Sequence, residues 1–309
     1  MLQGCELRYK FYKRTKGIRL TTPVTTIAEK LQTRFDSLTR AERQLANSLL
    51  DNYPVSGLVS ITTVAQNADV STPTVARMVQ KLGFKGYPEF QRALRGELAA
   101  RISNPIAKHD NWATTAPETH ILNRFADAVI QNVRQTLGQI DPDEFDGACA
   151  MLTDKERSVY IVGGRITRAL ADYMFTHLQV AREKVTLIPS NSNTWPHYVL
   201  DMKAGDVFVI FDIRRYERDI LRLAELAKER GVEIILFTDQ WSSPVSKFAT
   251  YRFNCRIEVP SAWDSSTATM LIVETMIACV QDRNWNVTSD RMEELEKLFD
   301  RTNLFRKFI

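Results

Sequence analysis

The sequence predicts two domains of different class: an all-α domain followed by an α/β domain whose parallel sheet is flanked by helices. Three observations predict this. Up to residue 103, apolar residues recur at the three- and four-residue spacing of amphipathic helices. From Ser158, short apolar runs alternate with helical segments, the signature of a parallel sheet covered on both faces. Between the two, Ser103 to Glu118 is polar and proline-containing, which marks a boundary. With 309 residues the chain is long enough for a sizeable core in each part. The expected division is a basic leader at 1–24, a helical domain at 25–103, a linker at 104–118 and an α/β domain at 119–309.

Charge is unevenly spread over a net +4. Residues 1–24 hold six Lys and Arg against Glu6 alone, and residues 25–105 hold ten against seven acids. The remainder holds 25 against 29, so only the N-terminal third is suited to a polyanion. The leader reads as disordered, with a phosphate-contacting arm as the alternative.

The helical domain begins with a stripe of Ile27, Leu31 and Phe35. Thr39 followed by Glu42 is a capping box, and it opens a helix with Leu45, Leu49 and Leu50 inward. Tyr53-Pro54 ends that helix. From Ser60 to Lys85, two short apolar-periodic runs flank the turn Ala68-Asp69-Val70-Ser71. Val64, Ala65 and Ala68 share one face of the first run; Val75, Met78, Val79 and Leu82 share one face of the second. Ser71 or Thr72 caps the second helix, and Pro73 suits its first turn. This is the pattern of a helix-turn-helix whose second helix enters the major groove of DNA. Thr62, Ser71, Thr72, Thr74, Arg77, Lys81 and Lys85 are the expected contacts to bases and phosphates. An ordinary helical hairpin with solvated cations is the competing reading. A turn at Gly83 to Pro88 and a helix from Glu89 to Ile102, with Phe90, Leu94 and Leu98 inward, complete the domain.

The segments "SLTRAERQLANSLLDN" and "VSITTVAQNADVSTPTVARMVQKLGFKGYPEFQRALRGEL" resemble the N-terminal domain of RpiR-type bacterial transcription regulators, over roughly Ile27 to Arg101. The resemblance implies DNA binding, with the helix of Thr74, Arg77 and Lys81 as the recognition helix.

Beyond the linker, His120 to Ile140 reads as a helix that packs on the second domain or joins a dimer interface. A shorter helix starts at Pro142 and carries Phe145. Strands are expected at Val159–Val162, Val185–Ile188, Asp206–Phe211, Glu233–Thr238 and Tyr251–Val259. The helices between and after them are Ala169–Val180, Glu217–Arg230 and Thr267–Asp282. Ligands of such sheets bind beyond the carboxyl ends of the strands. The loops there supply the effector candidates: Gly163, Gly164, Arg165 and Thr167; Ser190, Asn191, Ser192 and Asn193; Asp212, Arg214, Arg215 and Tyr216; and Thr238. Hydroxyls, amides and paired arginines suit an anion.

The same region, through "VYIVGGRITRALADY", "DVFVIFDIRRYERDILRLAELAKERGVEIILFTD" and "SSPVSKFATYRF", resembles a SIS (sugar isomerase) domain with flavodoxin- or Rossmann-type layers. That resemblance implies a bound phosphosugar. It also exposes departures: Thr167 stands where a serine is usual and Arg165 where a glycine is usual. Asp212 and Arg214 stand at two usual serines, Arg215 at a glycine and Glu217 at a threonine. Either the arginines clamp an anion or they fill the pocket with Asp212 neutralising one of them.

The expected function is a regulator that binds operator DNA and senses a small anion, a sugar phosphate or a sugar acid. A homodimer or homotetramer is expected, in the cytoplasm. A SIS-type sugar-phosphate isomerase is the alternative. Catalysis is not expected, because His109, His120, His177 and His197 do not assemble with an acid–base set. Cys5, Cys149, Cys255 and Cys279 are scattered, which argues against a metal site or a disulfide framework. Apolar runs such as Val207 to Phe211 are too short for a membrane span. No cofactor is expected.

Overall fold

The computed structural model describes residues 25–102, 106, 108 and 120–305. The leader and, apart from Ile106 and Lys108, the expected linker lie outside the described residues. Five helices build the N-terminal unit: α1 Ile27–Thr33, α2 Arg40–Asp51, α3 Ile61–Asn67, α4 Thr72–Lys81 and α5 Tyr87–Ile102. The Thr39 capping box forms, with the Thr39 N–H donating to Glu42 at 2.9 Å and the Thr39 hydroxyl accepting from the Glu42 N–H at 3.4 Å. Thr26 and Glu29 make a second box at α1. Ser71 caps α4, with a proline in its first turn. Asp69 turns the chain between α3 and α4 at φ 49°, a left-handed conformation that a short acidic side chain tolerates. Val64, Ala65, Ala68, Val75, Met78, Val79 and Leu82 are all buried in one core with Leu31, Leu45, Phe90 and Leu94.

The second unit begins with α6 Ile121–Leu137 and α7 Pro142–Thr153. Then follow β1 Val159–Gly163, α8 Arg168–Ala181, β2 Val185–Leu187, α9 Trp195–Asp201, β3 Val207–Phe211, α10 Arg218–Glu229, β4 Glu233–Asp239, β5 Tyr251–Cys255, α11 Thr267–Arg283 and α12 Trp285–Thr302. The strands are parallel, in the order β2-β1-β3-β4-β5. Alternation along each strand builds two cores. Ile161, Val209 and Phe211 meet α7, α8 and α11, whereas Tyr160, Val162, Phe208 and Ile210 meet α9 and α10. β1 and β3 are buried on both faces, which is why both read as unbroken apolar runs.

Three elements differ from the expectation. β5 stops at Cys255 instead of reaching Val259, because the Arg256 N–H leaves the ladder and donates to the Thr136 hydroxyl of α6 at 2.9 Å. α9 was not anticipated; it is a seven-residue helix that Trp195 anchors. Nor was α12, which buries only Thr288 fully and so carries little apolar periodicity.

The two units touch. Glu29 of α1 forms a buried ion pair with Arg256 and accepts from the Gln139 amide at 2.9 Å. At the far end, the Ala100 carbonyl of α5 accepts from Arg214 Nη1 at 2.8 Å. The neighbouring Arg101 guanidinium lies 4.7 Å from the centre of the Tyr216 ring.

Candidate functional site

On the helix-turn-helix, Thr62, Ser71, Arg77 and Lys85 are exposed and Thr72 is half-buried. Two expected contacts are otherwise engaged. Thr74 is only 9% exposed, and its hydroxyl lies 2.9 Å from that of Ser71, inside the N-terminal cap. Lys81 donates to Glu42 at 2.7 Å, which ties α4 to the capping box of α2. The exposed Gln80 lines the same groove as Arg77 and escaped notice because it carries no charge.

A cavity of about 800 Å³ opens beyond the carboxyl ends of β1 and β3. The strand order reverses between those two strands, which is where an open parallel sheet leaves a crevice. Gly164, Arg165 and Thr167 line it after β1, and Asp212, Arg214 and Arg215 after β3. The remaining candidates do not. Gly163 is the buried last residue of β1, and the loop packs so closely on it that a Cβ there would meet the Thr167 carbonyl at 2.5 Å. Ser190, Asn191, Ser192 and Asn193 follow the edge strand β2, away from β3. They fold on themselves into a turn in which Asn191 Oδ1 accepts from the Asn193 N–H at 3.2 Å. Tyr216 points inward and donates to Asp239 at 2.7 Å. Thr238 is buried, donating to the Asp212 carbonyl at 2.8 Å and accepting from the Ser243 N–H at 3.0 Å.

Sequence reasoning missed Lys108, Glu217, Trp263, Asp264 and Ser266 as lining residues. The last three lie on the loop after β5. Had that strand been ended at Cys255, the rule that selected the other loops would have reached them.

The β3 loop is strained into place. Arg214 and Arg215 are consecutive non-glycine residues with φ of 52° and 46°, a conformation that costs on the order of 1 kcal/mol or more at each position. The Arg214 N–H donates to Asp239 at 2.7 Å, and its guanidinium pairs with Asp264 at 3.0 Å and lies 4.4 Å from the Trp241 ring centre. Lys108 binds the same Asp264. Asp212 sits beneath the cavity, where burial pushes its carboxyl up to about 7 against the pull of the Ser243 hydroxyl and the Glu217 N–H. Burial also raises Asp239, even though Tyr216 and two backbone N–H groups donate to it.

Comparison with known proteins follows this division. Residues 25–101 match the model of the helix-turn-helix domain, rpiR family, and residues 151–279 match that of the SIS domain. The N-terminal domain is a helix-turn-helix domain of the rpiR family, and the C-terminal domain is a SIS domain. The chain is a transcriptional regulator with a SIS domain. The HTH-type transcriptional regulator HexR of Pseudomonas aeruginosa is 27% identical over 232 residues, 72% of this chain and 76% of its own length. RpiR of Escherichia coli K12 is 22% identical, over 73% of this chain and 74% of its own. Two solved structures share the fold. The sugar isomerase domain of an RpiR transcription factor from Sphaerobacter thermophilus superposes with a TM-score of 0.53 at 21% identity, covering 57% of this chain and 97% of that one. The Vibrio vulnificus NanR protein complexed with ManNAc-6P also gives 0.53, at 18% identity, over 91% of this chain and 99% of that one.

In this regulator the described histidines stand apart from the cavity lining: His120 caps α6, His177 lies 4.4 Å from Tyr173 ring to ring, and His197 is exposed on α9. Among the described residues no cluster of three or more His, Cys, Asp or Glu could hold a metal ion, and no helix is long and apolar enough to cross a membrane.

Proposed function

We propose that α3 and α4 bind operator DNA and that the cavity at β1 and β3 senses a small anionic metabolite, a sugar phosphate or a sugar acid, that alters this binding. The observation that carries the proposal is Arg214. Its guanidinium lines the cavity and at the same time donates to the Ala100 carbonyl at the end of the DNA-binding unit's last helix. A ligand that takes hydrogen bonds from Arg214 therefore acts on the seat of that unit. The bound sugar phosphate of NanR supports the same class of ligand in the same fold. The chain works as a homodimer or homotetramer, since a single short helix reads too few base pairs for specificity.

Selection from a random pool of duplexes with the full chain tests the first half. A two-fold-related pair of half-sites should be enriched. Arg77→Ala should weaken the enriched duplex by about 1–3 kcal/mol while weakening random duplexes much less. Equal losses on both would reduce Arg77 to a phosphate contact.

A further inference from the structure

Two backbone donors of the β1 loop, the N–H groups of Gly164 and Arg165, are already taken. The Arg165 N–H donates to Glu217 Oε1 at 2.8 Å. The Gly164 N–H donates to the Thr167 hydroxyl at 2.8 Å, and that hydroxyl donates in turn to the Phe211 carbonyl at 2.8 Å. A Cβ on Gly164 would meet Glu217 Oε1 at 2.5 Å, so the carboxylate lies directly against the loop backbone. A negative group from the protein itself thus occupies the seat that a ligand's anionic group would use.

The charges around the cavity point the same way. Among the described lining residues Lys108, Arg165, Arg214 and Arg215 face Asp212, Glu217 and Asp264, an excess of one positive charge with Asp212 ionised and of two with it protonated. Lys108 and Arg214 are spent on Asp264, whereas Arg165 and Arg215 form no ion pair with any described residue. A phosphate monoester carries more than one negative charge near neutrality and presents three acceptor oxygens. Here it would sit beside the carboxylate of Glu217, which repels its second negative charge. A carboxylate carries a single charge, and one guanidinium satisfies both its oxygens. Glu217, exposed at the cavity, is then an acceptor for ligand hydroxyls. Trp263 and Ile166, 53% and 54% exposed, offer an apolar wall.

We infer that Glu217 is the specificity-determining residue of this cavity, a built-in carboxylate that makes it select a hydroxylated monocarboxylate over a phosphate ester. The inference rests on the small-anion reading above and narrows it. Arg165 and Arg215 receive the ligand's carboxylate, and Glu217 holds the β1 loop and accepts from the ligand's hydroxyls.

The test titrates the full chain with D-gluconate, D-glycerate, D-glucose 6-phosphate, glycerol 3-phosphate and inorganic phosphate at matched ionic strength, following thermal midpoint and heat of binding. Wild type should bind the acids more tightly than the phosphates. In Glu217→Thr and Glu217→Gln the order should invert, with phosphates gaining at least about tenfold. Circular dichroism checks that both variants fold, and Glu217 is an exposed residue at a helix start. Phosphates binding wild type as tightly as the acids would overturn the inference and leave the small-anion reading standing. An unchanged order in both folded variants would do the same. Failure of every probe would overturn both together.

Discussion

Asp212 is a carboxyl that the fold holds against its chemistry. It is 3% exposed at the end of β3, and burial raises it to about 7, with Asp239 and Glu217 adding to the rise. An unfolded aspartate titrates near 3.9, so between roughly pH 4 and pH 7 the folded chain holds a proton that the unfolded chain has released. The folded state binds more protons in that window. Stability therefore falls as pH rises through it and levels off above the folded value. Asp212→Asn removes the titration; its amide oxygen keeps an acceptor for the Glu217 N–H, and its NH2 group donates to the Ser243 hydroxyl oxygen. Thermal midpoints of wild type and variant from pH 4 to pH 8 should diverge, the wild type losing up to a few kcal/mol relative to Asp212→Asn as pH rises. Parallel curves would mean that Asp212 titrates as an ordinary carboxylate.

Among the elements, close packing in the N-terminal unit depends on Gly57, which follows α2. A Cβ there would meet Leu94 Cδ1 at 2.4 Å and Phe90 Cε1 at 3.2 Å, so α5 lies against bare backbone. Gly57→Ala should cost about 1–3 kcal/mol by overpacking, read as a lower denaturant midpoint with an unchanged slope. This constraint is invisible in the sequence, where nothing near Gly57 points to Leu94 or Phe90. What was legible had a local cause. The Thr39–Glu42 box, the α3–α4 hairpin and the apolar strands β1 and β3 each declare themselves within a few residues. What escaped depended on distant partners. β5 ends where Thr136 of α6 draws Arg256 away, and Lys81 is engaged by Glu42, 39 residues earlier in the chain. Half of the cavity was legible for the same reason. The loops after β1 and β3 follow from strand ends, but nothing local reveals that the Asp264 loop closes over them or that Glu217 turns back onto Arg165.

At the level of the whole molecule, the DNA-binding unit rests on the SIS domain through two seats of different character. At one, Glu29 and Arg256 are both buried, and Glu29 also caps α1 and accepts from Gln139. Breaking a buried pair of this kind typically costs about 3–5 kcal/mol, so this seat is the firm one. At the other, Arg214 reaches Ala100 from the rim of a cavity, and its guanidinium is shared with Asp264. Arg214 lines the cavity beyond β1 and β3, whereas the Glu29–Arg256 pair lies outside it. Arg214→Ala should therefore raise amide exchange in the last turn of α5 without changing exchange in β1 and β3. It should also shrink the effect of a bound anion on operator affinity from a typical allosteric factor of roughly 5–150 toward onefold. Unchanged exchange around Ala100 would show that the Glu29 seat alone positions the DNA-binding unit, and a ligand signal would then have to travel through Arg256.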